Sequence, residues 1–348
     1  MERVITCSEA IREAIDQEMA RDENVIIFGQ GIDDAKGTWG TTAHLQSKYG
    51  RDRVFDTPLA EEGMTGVAIG AALAGLRPIH VHIRMDFLLL AMNQLINIAA
   101  KARYMYGGTV KVPLVIRAVI GRSWGQGAQH SQALHSVLAH IPGLKVVMPA
   151  TAYDAKGCLT AAIRDDNPVV FVEHRMVHMA KSHVPQEPYT VPLGRARVLA
   201  VGDQATVVAT SHMAMEAMRA RSLLEQMGLS IEVIDPVTIS PLDMKTILES
   251  VKKTRRLLVV DNGWLNCGIS AEVLAQAAEH FQDQTPIRVG RLGFAPVTCP
   301  TTKILEREFY PDARRIAAKA AELIDPKRSF SLPAETEAPE IREFKGPF

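Results

Sequence analysis

Short apolar runs alternate with longer amphipathic stretches along most of the chain, and this rhythm predicts a fold class before any motif is read. Residues 25–28 (Val-Ile-Ile-Phe) are wholly apolar and stopped by Gly29, and mainly apolar runs, broken by single polar residues such as His80, His82 and Arg117, occupy 54–55, 78–83, 113–119, 145–148 and 169–173. Continuous apolarity, as opposed to strict alternation, marks strands buried on both faces of a parallel sheet. Between these runs lie apolar residues at helical spacing. The first such stretch opens with Thr6-Cys7-Ser8-Glu9, a capping-box pattern, and continues through Ile11, Ala14, Ile15 and Met19. Helices are also predicted over 61–75, over 86–104 with Asp86 as the cap, and over 151–163. Strands alternating with helices of this length give parallel β-α-β units and a doubly wound sheet.

Residues 174–196 break the rhythm. They hold Pro185, Pro188 and Pro192 among scattered His and Lys, and read as a linker between domains. A second alternating block follows, with strands predicted at 205–210, 231–235 and 256–261 and helices at 214–227, 242–251 and 270–281. The expected architecture is α/β with two doubly wound domains, 1–190 and a smaller 191–327, then a Pro-, Glu- and Lys-rich tail at 328–348. A length of 348 residues is in keeping with two domains.

Thirty-nine basic residues balance thirty-nine acidic ones, so no net field favours a nucleic acid or an anionic membrane as partner. The start, Met1-Glu2-Arg3-Val4, opens no apolar run of signal-peptide length. The greasiest stretch, 87–100, is interrupted by Asn93, Gln94 and Asn97 and is too short to span a bilayer. Cys7, Cys158, Cys267 and Cys299 lie far apart without a C-x-x-C pair. Reduced thiols in a cytoplasmic protein are expected, with no zinc site.

Simple catalytic motifs are absent: no G-x-G-x-x-G after a strand, no phosphate-binding Walker loop, no H-E-x-x-H and no G-x-S-x-G. Gly29-Gln30-Gly31 lacks the third glycine of a dinucleotide fingerprint and reads as a turn. Gly202-Asp203 has no suitably placed Asn downstream. The unusual stretch is 61–75, where Gly63, Gly66, Gly70 and Ala74 recur at spacings of three and four. Such residues lower helix propensity and leave one thin face on which another backbone can approach. His130 closes a loop carrying Gly121, Gly125 and Gly127.

Several segments then carry a resemblance as an ordered set. They are Asp56-Thr57-Pro58-Leu59-Ala60-Glu61-Glu62-Gly63 with Gly66-Val67-Ala68-Ile69-Gly70, and Ala91-Met92-Asn93-Gln94-Leu95-Ile96-Asn97 with Ala99-Ala100-Lys101. Next come Gln129-His130-Ser131-Gln132 with Pro142-Gly143-Leu144-Lys145-Val146-Val147, then Ala162-Ile163-Arg164-Asp165-Asp166-Asn167-Pro168, and finally Ile234-Asp235-Pro236-Val237-Thr238-Ile239-Ser240-Pro241-Leu242-Asp243. Over about residues 5–320 this order resembles the β subunits of pyruvate, branched-chain 2-oxo acid and acetoin dehydrogenases, in the transketolase-like superfamily. The resemblance implies an N-terminal transketolase-type pyrimidine-binding domain and a transketolase C-terminal-type domain. It also implies thiamine diphosphate with Mg2+ as cofactor, and oxidative decarboxylation of a 2-oxo acid with acyl transfer to a lipoyl group. In such enzymes a G-D-G…N motif grips diphosphate and Mg2+. This chain has none, so an α-type partner subunit carrying it is implied, in an α2β2 assembly, with a lipoyl-bearing acyltransferase as acceptor.

The resemblance also assigns residues. Taken alone, Glu61 at a helix start is a dipole-stabilising residue; the family implies a hydrogen bond from its carboxyl to N1′ of the aminopyrimidine, which activates the cofactor. Leu59, Gly63 and Met85 are implied as cofactor contacts. Alone, His130 is a solvated loop histidine; the family implies a catalytic role on the reacting acyl group. Asp165 and Asn167 alone are turn formers before Pro168; the family implies a structural potassium site, with carbonyls of Leu114, Ala162 and Ile163 assisted by Asp165 and Asn167. Glu62 receives no catalytic role, and His135 and His140 are expected to pack or cap. The chain departs from the family pattern at Met85, where an aromatic residue is usual, and at Val81, where several members carry an acid. With His82 and Arg84 nearby, these departures suggest an acidic or unusual substrate. A second reading is half of a split transketolase, or a thiamine-dependent carboligase without a lipoyl partner. A third, a non-enzymatic relic of the fold, is opposed by the presence of Glu61.

Overall fold

The computed structural model describes residues 3–34, 38–121, 125–283 and 286–333. Residues 122–124 of the Gly-rich loop and 334–348 of the expected tail lie outside the described residues. The chain divides into two compact units, 3–121 with 129–193, and 125–128 with 194–333.

The first unit runs β1 (Val4–Thr6), α1 (Cys7–Arg21), β2 (Val25–Gly29), α2 (Leu45–Tyr49), β3 (Val54–Asp56), α3 (Glu61–Leu73) and β4 (Arg77–His82). It continues with α4 (Met85–Leu88), α5 (Ala100–Met105), β5 (Val115–Ile120), α6 (His135–Ala139), β6 (Lys145–Val147), α7 (Ala152–Arg164), β7 (Val169–His174) and β8 (Lys181–His183). Within this unit the sheet order is β6-β7-β5-β4-β2-β3, with every pairing parallel. The continuous apolar runs are the strands, and β2, β5 and β7 are buried along their whole length. α1 forms as its capping box predicts: Glu9 N–H donates to Thr6 Oγ1 at 3.2 Å and Thr6 N–H to Glu9 Oε2 at 2.8 Å. Its Ile11, Ile15 and Met19 are buried and the helix packs on α7; each such side chain contributes roughly 1.5–3 kcal/mol.

Two expectations are corrected. The helix expected over 86–104 is broken: α4 ends at Leu88, and a 3-10 turn (Leu89–Ala91) and a π-helical turn (Gln94–Ala99) precede α5. Asp86 does not cap it. It lies inside the first turn, and its carboxylate accepts the Gln132 N–H at 3.1 Å. Nor are residues 174–196 only a linker. The turn Arg175–Val177 is buried and β8 pairs antiparallel with β1, Ile5 opposite Ser182. Its polar residues find partners inside, as His178 does on Glu173 at 3.0 Å, which proline spacing does not disclose.

The second unit runs β9 (Arg197–Ala200), β10 (Ala205–Ala209), α8 (His212–Glu225), β11 (Ile231–Asp235), β12 (Thr238–Ser240), α9 (Met244–Thr254) and β13 (Arg256–Trp264). α10 (Ile269–Phe281), β14 (Arg288–Phe294), α11 (Lys303–Phe309) and α12 (Ala313–Ile324) complete it. Its five-stranded sheet has the order β14-β13-β10-β11-β9, antiparallel only at β9. β9, β12, β14, α11 and α12 go beyond the elements expected from sequence.

The feature that positions the site is the end of β2. Gly29 has φ 146°, and a Cβ there would stand 2.2 Å from the Val81 carbonyl oxygen of β4. Gln30 N–H then donates to that oxygen at 3.2 Å. Gly29→Ala is expected to destabilise the protein by about 2 kcal/mol or more, since neither backbone can retreat without breaking the sheet. Urea unfolding reads this as a lower midpoint at unchanged slope; an unchanged midpoint would show that the two strands tolerate the side chain.

Candidate active site

The carboxyl ends of β2 and β4, where ligands bind in open α/β sheets, meet the start of α3. Glu61 is the first residue of that helix, and Gln30 Nε2 donates to its Oε1 at 3.0 Å. Oε2 has no hydrogen-bond partner among the described residues. Beside it Leu59 is 80% exposed, and a Cβ added to Gly63 would meet nothing within 4 Å. The same holds for Gly66 and Gly70. The thin face expected from the glycine spacing exists and stands uncovered in this chain. The opposite face of α3 is packed, with Thr65, Ala68, Ile69 and Ala72 buried.

Under α3, β4 carries two buried histidines. Their rings meet at 4.3 Å, His80 Nδ1 lies 3.3 Å from the Phe28 carbonyl, and His82 Nε2 lies 3.4 Å from Thr65 Oγ1. Burial pushes the His80 pKa down to about 4 against the opposing pull of the Phe28 carbonyl and the Glu61 charge. Burial and then neighbouring His80 hold His82 well below its ordinary value. The rings are therefore neutral at physiological pH.

α4 holds the loop that carries His130. Met85 Sδ accepts the Leu134 N–H at 3.1 Å, Asp86 accepts the Gln132 N–H at 3.1 Å, and the Phe87 ring meets His130 edge-on at 5.3 Å. Burial raises the Asp86 pKa, opposed by the Gln132 hydrogen bonds and by His130. Met85 is 1% exposed, so it lies beneath the loop and is no part of the open surface at Leu59 and Gly63. The structure thus groups Leu59, Glu61 and Gly63, and groups Met85 with His130. Glu62 is bound to Gln94, whose Nε2 donates at 3.0 Å. Gln30, which orients Glu61, was read from sequence as part of a plain turn; its position at a strand end between two glycines was the available signal.

Leu114, Ala162, Ile163, Asp165 and Asn167 also lie together, but side-chain cations occupy them. Arg77 Nη1 donates to the carbonyls of Ile163 (3.0 Å) and Asp165 (3.2 Å). Lys145 pairs with the Asp165 carboxylate, whose Oδ1 also accepts both nitrogens of Asn167 at 2.9 Å. The Leu114 carbonyl accepts Val169 N–H and that of Ala162 accepts Asp165 N–H. A guanidinium already stands where a potassium ion would sit. The residues present do not fit an open potassium site.

Two outcomes follow from these geometries. Above pH 6.5 His80 is neutral in folded and unfolded chains alike; as the pH falls from there to about 4, only the unfolded chain takes up the proton. Stability therefore declines across that window, by roughly 3 kcal/mol from this group. Urea titrations of His80→Phe are expected to give a shallower decline, and identical pH slopes would clear His80 of the effect. Separately, the thermal midpoint is expected to be equal in potassium and sodium salts, while Arg77→Met costs about 2 kcal/mol. A midpoint raised specifically by potassium would contradict the occupied site.

Comparison with known proteins shows the family. Residues 3–179 match the family model for the transketolase pyrimidine-binding domain, and residues 194–316 that for the transketolase C-terminal domain. The acetoin:2,6-dichlorophenolindophenol oxidoreductase β subunit of Cupriavidus necator is 41% identical over 330 residues, covering 92% of this chain and 97% of that protein. The pyruvate dehydrogenase E1 β subunit of Porphyra purpurea is 43% identical, covering 86% of this chain and 90% of that protein. A solved structure described as a split-gene transketolase, inactive β4 tetramer, superposes with TM-score 0.75 over 93% of this chain and 99% of its own, at 22% identity. That last likeness shows the fold alone. With two transketolase-type domains and relatives near 40% identity along most of its length, the chain belongs to the family of pyruvate and acetoin dehydrogenase β subunits.

Proposed function

We propose that this chain is the half of a thiamine diphosphate-dependent 2-oxo acid dehydrogenase that receives the aminopyrimidine ring, with Glu61 and His130 as its catalytic residues. The observation that carries the reading is the Glu61 carboxylate: Oε1 is fixed by Gln30, while Oε2 is free beside the open, apolar cradle of Leu59 and Gly63. That donor set fits a flat heteroaromatic ring that needs one proton held at one ring nitrogen. When bound, thiamine diphosphate supplies the electron sink for loss of carbon dioxide from a 2-oxo acid. Glu61 holds the proton at Oε2 against the ring nitrogen facing it. Closure of the cradle by a partner would exclude water and strengthen that hydrogen bond. His130, its ring steadied by Phe87, donates to oxygen on the reacting acyl group, and Met85 backs the loop from below.

The missing diphosphate and Mg2+ grip is assigned to an α-type subunit in an α2β2 assembly, docking on the uncovered glycine face of α3, and the acyl acceptor to a lipoyl-bearing acyltransferase. Residues 1–190 take the pyrimidine-binding role and 191–327 the transketolase C-terminal role. Potassium is left out of the reading because Arg77 fills its expected place. No helix among the described residues is long and apolar enough to cross a membrane. The four cysteines form no disulfide, which supports a reducing compartment, the cytoplasm. The split-transketolase or carboligase reading is weaker: relatives named as dehydrogenase and oxidoreductase subunits stand near 40% identity, the transketolase likeness at 22%.

The test is co-purification with an α-type partner and turnover of a panel of 2-oxo acids on an artificial electron acceptor. Glu61→Gln is expected to lower turnover about a hundredfold or more; full turnover in that variant would overturn the mechanism.

A further inference from the structure

Beside the Glu61 crevice, β4 runs on into Arg84, whose surroundings the mechanism above leaves unused. Its guanidinium stands 5.6 Å from the centre of the Trp39 ring, and Arg175 approaches the same indole at 5.9 Å. Arg84 Nη1 is tied to the Ile83 carbonyl at 3.3 Å, while Nε is buried without a hydrogen-bond partner. The indole Nε1 of Trp39 and Oγ1 of Thr38 are buried and unpartnered as well. Among the described residues Arg84 forms no ion pair.

The contrast with Arg117 is instructive. That guanidinium is fully buried, where Arg84 is only part-buried, and both carboxylate oxygens of Glu173 receive it, at 2.5 and 2.8 Å, with Thr41 Oγ1 taking a further bond at 2.8 Å. Through Thr41 it also fastens the turn that bears Trp39, since Thr41 N–H donates to the Thr38 carbonyl at 3.0 Å. A cation withdrawn from water without a counter-ion is costly. Arg84 is part-buried, with its Nε withdrawn from water and no counter-ion among the described residues, against the Trp39 indole whose Nε1 is a donor only.

We propose that Arg84, with the indole N–H of Trp39, forms a subsite for a carboxylate at the far end of the substrate, so that the 2-oxo acid taken by this chain is dicarboxylic. The free Nε–Nη2 edge of a guanidinium matches a planar carboxylate in a bidentate pair. The carboxylate next to the keto group is a poor fit. It must leave as carbon dioxide, and a fixed cation against it would stabilise the ground state and oppose its loss. The distal carboxylate keeps its charge throughout, so binding it aids orientation at no cost to the chemistry. Burial lowers the Arg84 pKa from its ordinary value, opposed by Asp86, and an incoming carboxylate relieves that burial.

This inference rests on the thiamine reading, and the experiment separates the two. In the assembled complex, kcat/KM is compared for 2-oxoglutarate and for 2-oxovalerate, which carries a methyl group in place of the distal carboxylate. Wild type is expected to prefer the dicarboxylic acid. Arg84→Gln is expected to lower that preference about tenfold or more, chiefly through KM, with Arg84→Lys intermediate. A wild-type preference for 2-oxovalerate, or a ratio unchanged by Arg84→Gln, overturns the subsite. Should no 2-oxo acid turn over, the thiamine reading fails. The subsite is then decided on the isolated full chain by glutarate binding, read from tryptophan fluorescence with Trp39→Phe as control. A saturable change lost in Arg84→Gln supports it, and no change, or one retained in that variant, overturns it.

Discussion

The close approach of β2 to β4 at Gly29 is the constraint from which the rest of the crevice follows. Only a residue without a side chain lets the two backbones come together there, with 2.2 Å left between a notional Cβ and the Val81 oxygen. That approach places the Gln30 N–H on Val81 and its side chain on Glu61. It also presses Gly31 toward Ile83, whose Cδ1 would lie 3.4 Å from a Cβ at that position. One glycine thus sets where the carboxylate stands and where β4 hands over to Arg84, Met85 and Asp86.

Beyond β4 the chain gives up helical regularity to serve the loop that bears His130. A continuous helix from Asp86 would bury one apolar stripe; in its place stand α4, a 3-10 turn and a π-helical turn in succession. The short first turn frees Met85 Sδ and the Asp86 carboxylate to accept backbone N–H groups of the loop. The π-helical turn opens with Gln94, bonded back to Glu62 on α3. Local departures of this kind collect at functional sites because they re-aim side chains that a regular helix would point elsewhere. Buried Asp86 accepts a hydrogen bond from the loop, as a group of its polarity must when withdrawn from water.

Legibility from sequence tracks burial. β2, β5 and β7 are plain because strands covered on both faces are mainly apolar, with Arg117 and Glu173 the charged interruptions, and α1 because its cap and its stripe agree. β8 and β9 were missed because their residues are partly exposed and carry no such run, and β14 because it begins on exposed Arg288 and Val289 and contains two glycines. Glu61 was visible only through the ordered set of segments around it, since a glutamate opening a helix is ordinary. Gln30 was invisible in role, its partner lying thirty-one positions away. At 162–167 the carbonyls of Ile163 and Asp165 accept from the Arg77 guanidinium at the start of β4, whose long reach leaves no local trace in sequence.

Charge is distributed along β4 in a way that bears on what the crevice accepts. Its buried middle is kept neutral, His80 and His82 by desolvation and Val81 by its chemistry, beneath the Glu61 carboxylate at the start of α3. At the carboxyl end of β4 positive charge enters on Arg84, after the strand has ended. Separation along one strand of a neutral floor from a cationic rim lets one crevice treat two parts of a ligand differently. On the proposed reading an uncharged ring would be met by shape and a single hydrogen bond at Glu61, and an anionic group by the part-buried Arg84 guanidinium. Exchange of the aromatic residue usual at Met85 belongs to the same division of labour. The thioether serves the loop from beneath, and an aromatic surface beside Arg84 is supplied by Trp39, on a turn anchored through Thr41 by Arg117.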